Sequence, residues 1–97
     1  MNKILAPLTV EGTEVTTQTL RDVVQKMIRL PKRFKAMDLI AAVPSKGHDI
    51  HFQQEVLNRV MQRWRRMDLV TFEKKHWILM PGGRDKLLKA LEETEQQ

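Results

Sequence analysis

The chain contains no cysteine, no tyrosine and a single serine, and its aromatic content is only 5%. Without thiols there can be no disulfide, no thiolate nucleophile and no zinc finger of the cysteine type. The lone serine, Ser45, follows Pro44 in a turn-like stretch with no glycine-flanked nucleophile elbow around it. Gly82-Gly83 lacks the lysine and the Ser or Thr of a phosphate-cradling loop. No carboxylate pair stands out for acid–base work, so a protein without enzymatic activity and without a cofactor is expected. Aromatic residues are too few to form a stacking platform for single-stranded bases. His48, His51 and His76 suggest zinc, but with no cysteine and no carboxylate pattern beside them no metal site is expected. Long apolar runs are missing as well. Residues 4–10 form the only apolar N-terminal run, and Pro7 interrupts it. Neither a signal-peptide core nor a membrane span is expected, and a cytoplasmic location is the default.

What is present fits one small folded domain. Ninety-seven residues with 41% apolar and 30% charged side chains support a single, modest core. The formal net charge is +5. Between Arg21 and Lys75 there are thirteen Lys or Arg against six Asp or Glu, whereas the stretch from Glu92 onward is acidic. That asymmetry implies one surface suited to a polyanion.

The chain is organised around residues 52–70, FQQEVLNRVMQRWRRMDLV. Val56, Leu57, Val60, Met61, Trp64 and Met67 recur at three and four residues, the spacing of a helix seated on a core. The opposite face holds Gln54, Glu55, Asn58, Arg59, Gln62, Arg63 and Arg66. Asp49 is positioned to cap this helix, predicted over 50–67, and Asp68 interrupts it. Before it, a helix is predicted over 17–30, capped by Thr16 or Thr17 and stopped by Pro31. Its buried stripe is Leu20, Val23, Val24, Met27 and Ile28, with Arg21, Lys26 and Arg29 outside. Phe34 is expected to lie extended and buried. A second helix over 36–43 turns Met37, Leu39, Ile40 and Val43 inward and ends at Pro44. In the turn over 44–49, Gly47 can supply a positive φ. After the long helix, Val70-Thr71-Phe72 and Trp77-Ile78-Leu79 read as a hairpin with a cationic tip. A last helix over 84–94 carries a narrow stripe of Leu87, Leu88 and Leu91. Residues 1–15 read as an arm or a short strand, 16–94 as the domain proper and 95–97 as a tail.

This order resembles the winged helix-turn-helix domain of small prokaryotic and phage transcription regulators. Three local patterns carry the resemblance. Leu57-Asn58-Arg59 through Trp64 to Asp68-Leu69-Val70 is similar to that family's recognition helix and its exit, with Asp68 standing where the family usually has glycine. Phe34 followed by AMDLIAAV is similar to its first strand and second helix. WILMPGGRDKLLKAL is similar to its last wing strand and the element that opens its final helix. The resemblance implies an α+β, mostly helical fold: a three-helix core, a small β-hairpin wing and a C-terminal helix.

It also implies a partner, double-stranded DNA, with the 50–67 helix in the major groove and the 70–79 hairpin near phosphates. On that expectation His51, Gln53, Gln54, Asn58, Arg59 and Gln62 face bases, since Gln and Asn can read adenine and Arg can read guanine. Lys46, His48, Arg63, Lys74 and Lys75 then meet phosphates. The C-terminal helix can pair two copies into a homodimer through its leucine stripe. A second expectation competes: a winged-helix protein–protein module that does not touch DNA, favoured by Glu55 on the key face and by the same leucine stripe.

Overall fold

The computed structural model describes residues 3–45, 47 and 49–95. In chain order the elements are β1 (Leu8–Val10), β2 (Thr13–Val15), α1 (Thr17–Met27), β3 (Arg33–Phe34), a 3-10 helix (Ala36–Ala42), α2 (Ile50–Arg66), β4 (Val70–Glu73), β5 (His76–Leu79) and α3 (Pro81–Thr94). The fold is α+β, with four helical segments and two small antiparallel sheets. None of the helices among the described residues is long and apolar enough to cross a membrane.

Helix α1 starts as its sequence requires. Thr16 is extended, and its side chain accepts the Thr19 N–H at 3.2 Å, a cap worth about 1 kcal/mol. Leu20, Val23, Val24 and Met27 are buried. The helix ends at Met27, earlier than the periodicity suggests. Arg29 and Leu30 close on Lys26 and Met27 through tighter bonds three residues back, and the residue before Pro31 is driven from helical angles. Arg21 is not the free surface cation expected of it. It reaches α3 and donates to the Leu91 carbonyl and the Thr94 hydroxyl, both at 2.6 Å.

The segment after β3 is helical, but wound as a 3-10 helix. Its N-terminus is held by Asp38, which accepts the Lys35 N–H at 2.9 Å. Three residues per turn put every third side chain on one face. Ala36, Leu39 and Ala42 accordingly pack on the core; Ile40 and Val43 also lie inward, as expected, but Met37, expected inside, is 46% exposed.

Helix α2 is capped by Asp49, which accepts the His51 N–H at 3.0 Å. Phe52, Val56, Leu57, Val60, Met61 and Trp64 are buried along it. Its exit is a Schellman turn: the Asp68 N–H reaches the Arg65 carbonyl, and the Leu69 N–H reaches that of Trp64 at 2.9 Å. Asp68 sits at φ 61° to allow this. Leu69 then tucks under α3. A Cβ on Gly83 would lie 2.8 Å from the Leu69 Cα, so only glycine lets α3 approach this closely.

The three-stranded sheet runs β3-β5-β4, pairing Phe34 with Trp77 and Phe72 with Trp77 from the two sides. Phe34 is buried, as expected of it, while Phe72 is 43% exposed and packs its ring 4.9 Å from that of Trp77. Glu73 pairs with His76, which leaves a two-residue turn, Lys74-Lys75, at φ 50° and 66°. Positive φ at both central residues is the type I′ arrangement, whose twist matches the strands.

The N-terminal stretch is more structured than an arm. Strands β1 and β2 form a second hairpin, turning at Glu11-Gly12 with φ 50° and 77°. Leu5, Val10 and Val15 are buried in the same core as Leu20, Val60 and Trp64.

Candidate nucleic-acid interface

An α-helix advances 100° per residue, so one seated on a core leaves the opposite arc to solvent. In α2 that arc is centred on Asn58. His51, Asn58 and Arg65 recur every seven residues, two turns apart, and all three are exposed. Gln54 is exposed beside them and Gln62 is half-buried. The strip therefore presents an imidazole, two carboxamides from Gln, one from Asn and a guanidinium.

The N-terminal segment runs antiparallel along one edge of the strip. Three α2 side chains donate to three of its carbonyls. Trp64 Nε1 reaches Ile4 at 3.0 Å, Arg63 reaches Ala6 at 2.6 Å and Arg59 reaches Thr9 at 3.4 Å. Arg59 also forms an ion pair with Glu55, 2.9 Å away and one turn back. That pair is solvent-exposed and contributes about 0.3–0.5 kcal/mol. Burial, and then the neighbouring Arg66, pulls the Arg63 guanidinium below its ordinary value. It remains a cation, because arginine is not deprotonated in proteins.

The four arginines of α2 thus divide. Arg59 and Arg63 are engaged by the protein's own N-terminus. Arg65 and Arg66 are exposed, and their side chains make no hydrogen bond or ion pair among the described residues. A groove of about 270 Å³ between Leu8 and α2 is lined by Asn58, Arg59, Gln62, Arg63 and Arg66.

The other edge is formed by the 3-10 helix. Gln53, a candidate for the exposed face, turns inward instead. Its carboxamide donates to the Val43 carbonyl at 2.6 Å and to that of Ile40 at 3.3 Å. It ties down the C-terminal end of the 3-10 helix, where the Ile40 carbonyl also accepts the Val43 N–H at 3.1 Å. Gln54 remains outside, 3.6 Å from the Met37 sulfur.

At the β4–β5 turn Lys74 and Lys75 are exposed. His76 Nδ1 lies 3.0 Å from the Lys74 carbonyl and 3.4 Å from an Arg33 guanidinium nitrogen. One nitrogen cannot both donate to the carbonyl and accept from the guanidinium. The shorter contact has Nδ1–H donating to Lys74, which leaves Arg33 exposed beside it.

Of the candidate residues, then, His51, Gln54, Asn58 and Gln62 share one strip. Arg59 lies at its edge, Gln53 and Arg63 are committed to the protein, and Lys74 and Lys75 crown the hairpin. Lys46 and His48 lie outside the described residues. Arg65 joins the strip from outside those candidates, although its seven-residue spacing from Asn58 is readable in the sequence. The half-exposed Met37 and Ile50 next to Gln54 carry no such signal. No protein-family model matches the chain, and no curated protein or solved structure matches it either.

Proposed function

We propose that the chain is a winged helix-turn-helix protein that binds double-stranded DNA and acts as a transcriptional regulator. The topology supports the winged-helix reading. In the chain the 3-10 helix and α2 lie between β3 and β4 of a sheet ordered β3-β5-β4, and the β4–β5 hairpin follows the long helix directly. In this reading α2 enters the major groove and the hairpin lies near phosphates.

The observation that carries the proposal is the strip His51–Gln54–Asn58–Gln62–Arg65. It is a line of hydrogen-bonding side chains on a 17-residue helix, left open between the N-terminal hairpin and the 3-10 helix. Carboxamides pair with adenine and guanidinium with guanine. Arg65, Arg66, Lys74 and Lys75 supply the sequence-independent attraction to phosphate. Glu55 is neutralised by Arg59, so it does not oppose the backbone as an isolated anion. The test is fluorescence anisotropy on a randomised duplex at stepped salt. Neutralising about five phosphates predicts a loss of roughly 500-fold between 50 and 200 mM salt.

Two copies are proposed to pair through α3, where Leu88 is 36% exposed and Leu91 partly buried. Light scattering tests this directly. A second reading, a protein-binding module, draws on the uncharged N-terminal half of the α2 strip and on the exposed Met37 and Ile50 beside it. Its signature is partner capture that Ile50→Asp abolishes, with no duplex binding at any salt.

A further inference from the structure

Four large apolar side chains are substantially exposed among the described residues, and two of them stand together. Met37, on the 3-10 helix, and Ile50, at the first position of α2, are each 46% exposed. Gln54 links them. It sits one helical turn from Ile50, and its carboxamide nitrogen is 3.6 Å from the Met37 sulfur. The apolar pair is therefore continuous with the hydrogen-bonding strip, at its N-terminal end.

We infer that Met37 and Ile50 contact thymine 5-methyl groups in the major groove, so that this end of α2 selects for thymine through its methyl group. The inference rests on the DNA-binding reading and deepens it.

Three observations carry it. Met37, at the second position of its helix, is exposed and meets Gln54, whereas Ile40, three residues on, packs against the core. Secondly, a thymine methyl is the only apolar group on a base edge in the major groove, and it lies beside the acceptors and donors that carboxamides read. An apolar pair flanking Gln54 and His51 matches that neighbourhood. Thirdly, the patch is small. Two half-exposed side chains fall far short of the ~800 Å² per partner that a stable protein interface buries.

The experiment uses duplexes recovered by selection from a randomised pool with the full chain. Each thymine in the recovered site is replaced singly by deoxyuridine, which removes the methyl and leaves base pairing and the hydrogen-bonding edge unchanged. Binding is read by anisotropy at one salt concentration. Burying one methyl predicts a loss of about fourfold for the wild type at one or two positions. Ile50→Ala or Met37→Ala should bind the original duplex correspondingly less well, and should no longer distinguish thymine from deoxyuridine at the position each one contacts. Both residues are exposed, and a thermal melt on each variant confirms folding.

A recovered site without a fixed thymine, or one where no methyl removal matters, overturns the inference while salt-dependent binding leaves the parent reading standing. A methyl penalty that survives in both variants overturns it too, by assigning the contact to other residues. Absence of binding to any duplex at low salt removes both readings.

Discussion

The Trp64 indole N–H donates to the carbonyl of Ile4 at 3.0 Å, across sixty positions of sequence. It is the innermost of three bonds that pin the N-terminal segment along α2. The Trp64 side chain is fully buried, so its N–H has no recourse to water. Trp64→Phe keeps most of the apolar volume and removes the donor. It should lower the unfolding free energy by about 1–3 kcal/mol, from the lost hydrogen bond and the smaller ring. Urea denaturation measures this, and a midpoint unchanged from wild type would mean that the bond is not formed. On the proposed reading duplex preference should be unchanged, because Trp64 lies on the buried side of the helix.

The β4–β5 turn carries two lysines where Asn-Gly is the favoured pair. Holding non-glycine residues at positive φ costs roughly 1–2 kcal/mol each. Lys74→Asn combined with Lys75→Gly should therefore raise stability, by about 1–2 kcal/mol in total. If the lysines meet phosphates, the same variant should lose duplex affinity, and its salt slope should fall by about two units. Opposite signs in the melt and in the binding titration would identify a turn shaped by function. A gain in stability with an unaltered slope would leave the lysines as solvated surface.

Asp68 raises a similar question at the end of α2, with a different expectation. Its φ of 61° is required by the Schellman turn, and its side chain is exposed. Asp68→Gly should stabilise the fold by about 0.5–1 kcal/mol, since glycine adopts this conformation without a Cβ clash. Thermal denaturation reads the shift. Any loss would indicate that the carboxylate has a role the geometry does not reveal.

Several features were legible from residue type and spacing alone. Asp49 capped α2 because a short carboxylate before an apolar periodic run can accept a free N–H. Phe34 lay extended and buried because it was the one apolar residue in a cationic stretch after Pro31. The inward stripe of α2 followed from three- and four-residue spacing. Met37 misled because it lies in the first turn of its short helix, where its side chain meets Gln54, while Ile40 on the same face packs inward as its spacing suggests. Gln53 looked like a surface carboxamide, yet the ends of short helices recruit polar side chains, and nothing in its neighbours announces that. The N-terminal hairpin had only Glu11-Gly12 as a turn signal. The attachment of Arg59 and Arg63 to the carbonyls of Thr9 and Ala6 leaves no local pattern, because a backbone carbonyl has no sequence identity. The open strip was therefore readable, but not which of its arginines were already engaged.

The central claim is that the open face of α2 reads base edges in duplex DNA. The most direct test is the ratio of affinities for a selected duplex and a random duplex, measured at one salt concentration for wild type and Asn58→Ala. Asn58 is exposed at the middle of the strip and supports nothing in the core. Losing a bidentate base contact predicts a fall in that ratio of about 5–150-fold, equivalent to roughly 1–3 kcal/mol, with random-duplex affinity unchanged. An unchanged ratio, or no salt-dependent binding by the wild type to either duplex, would contradict the claim.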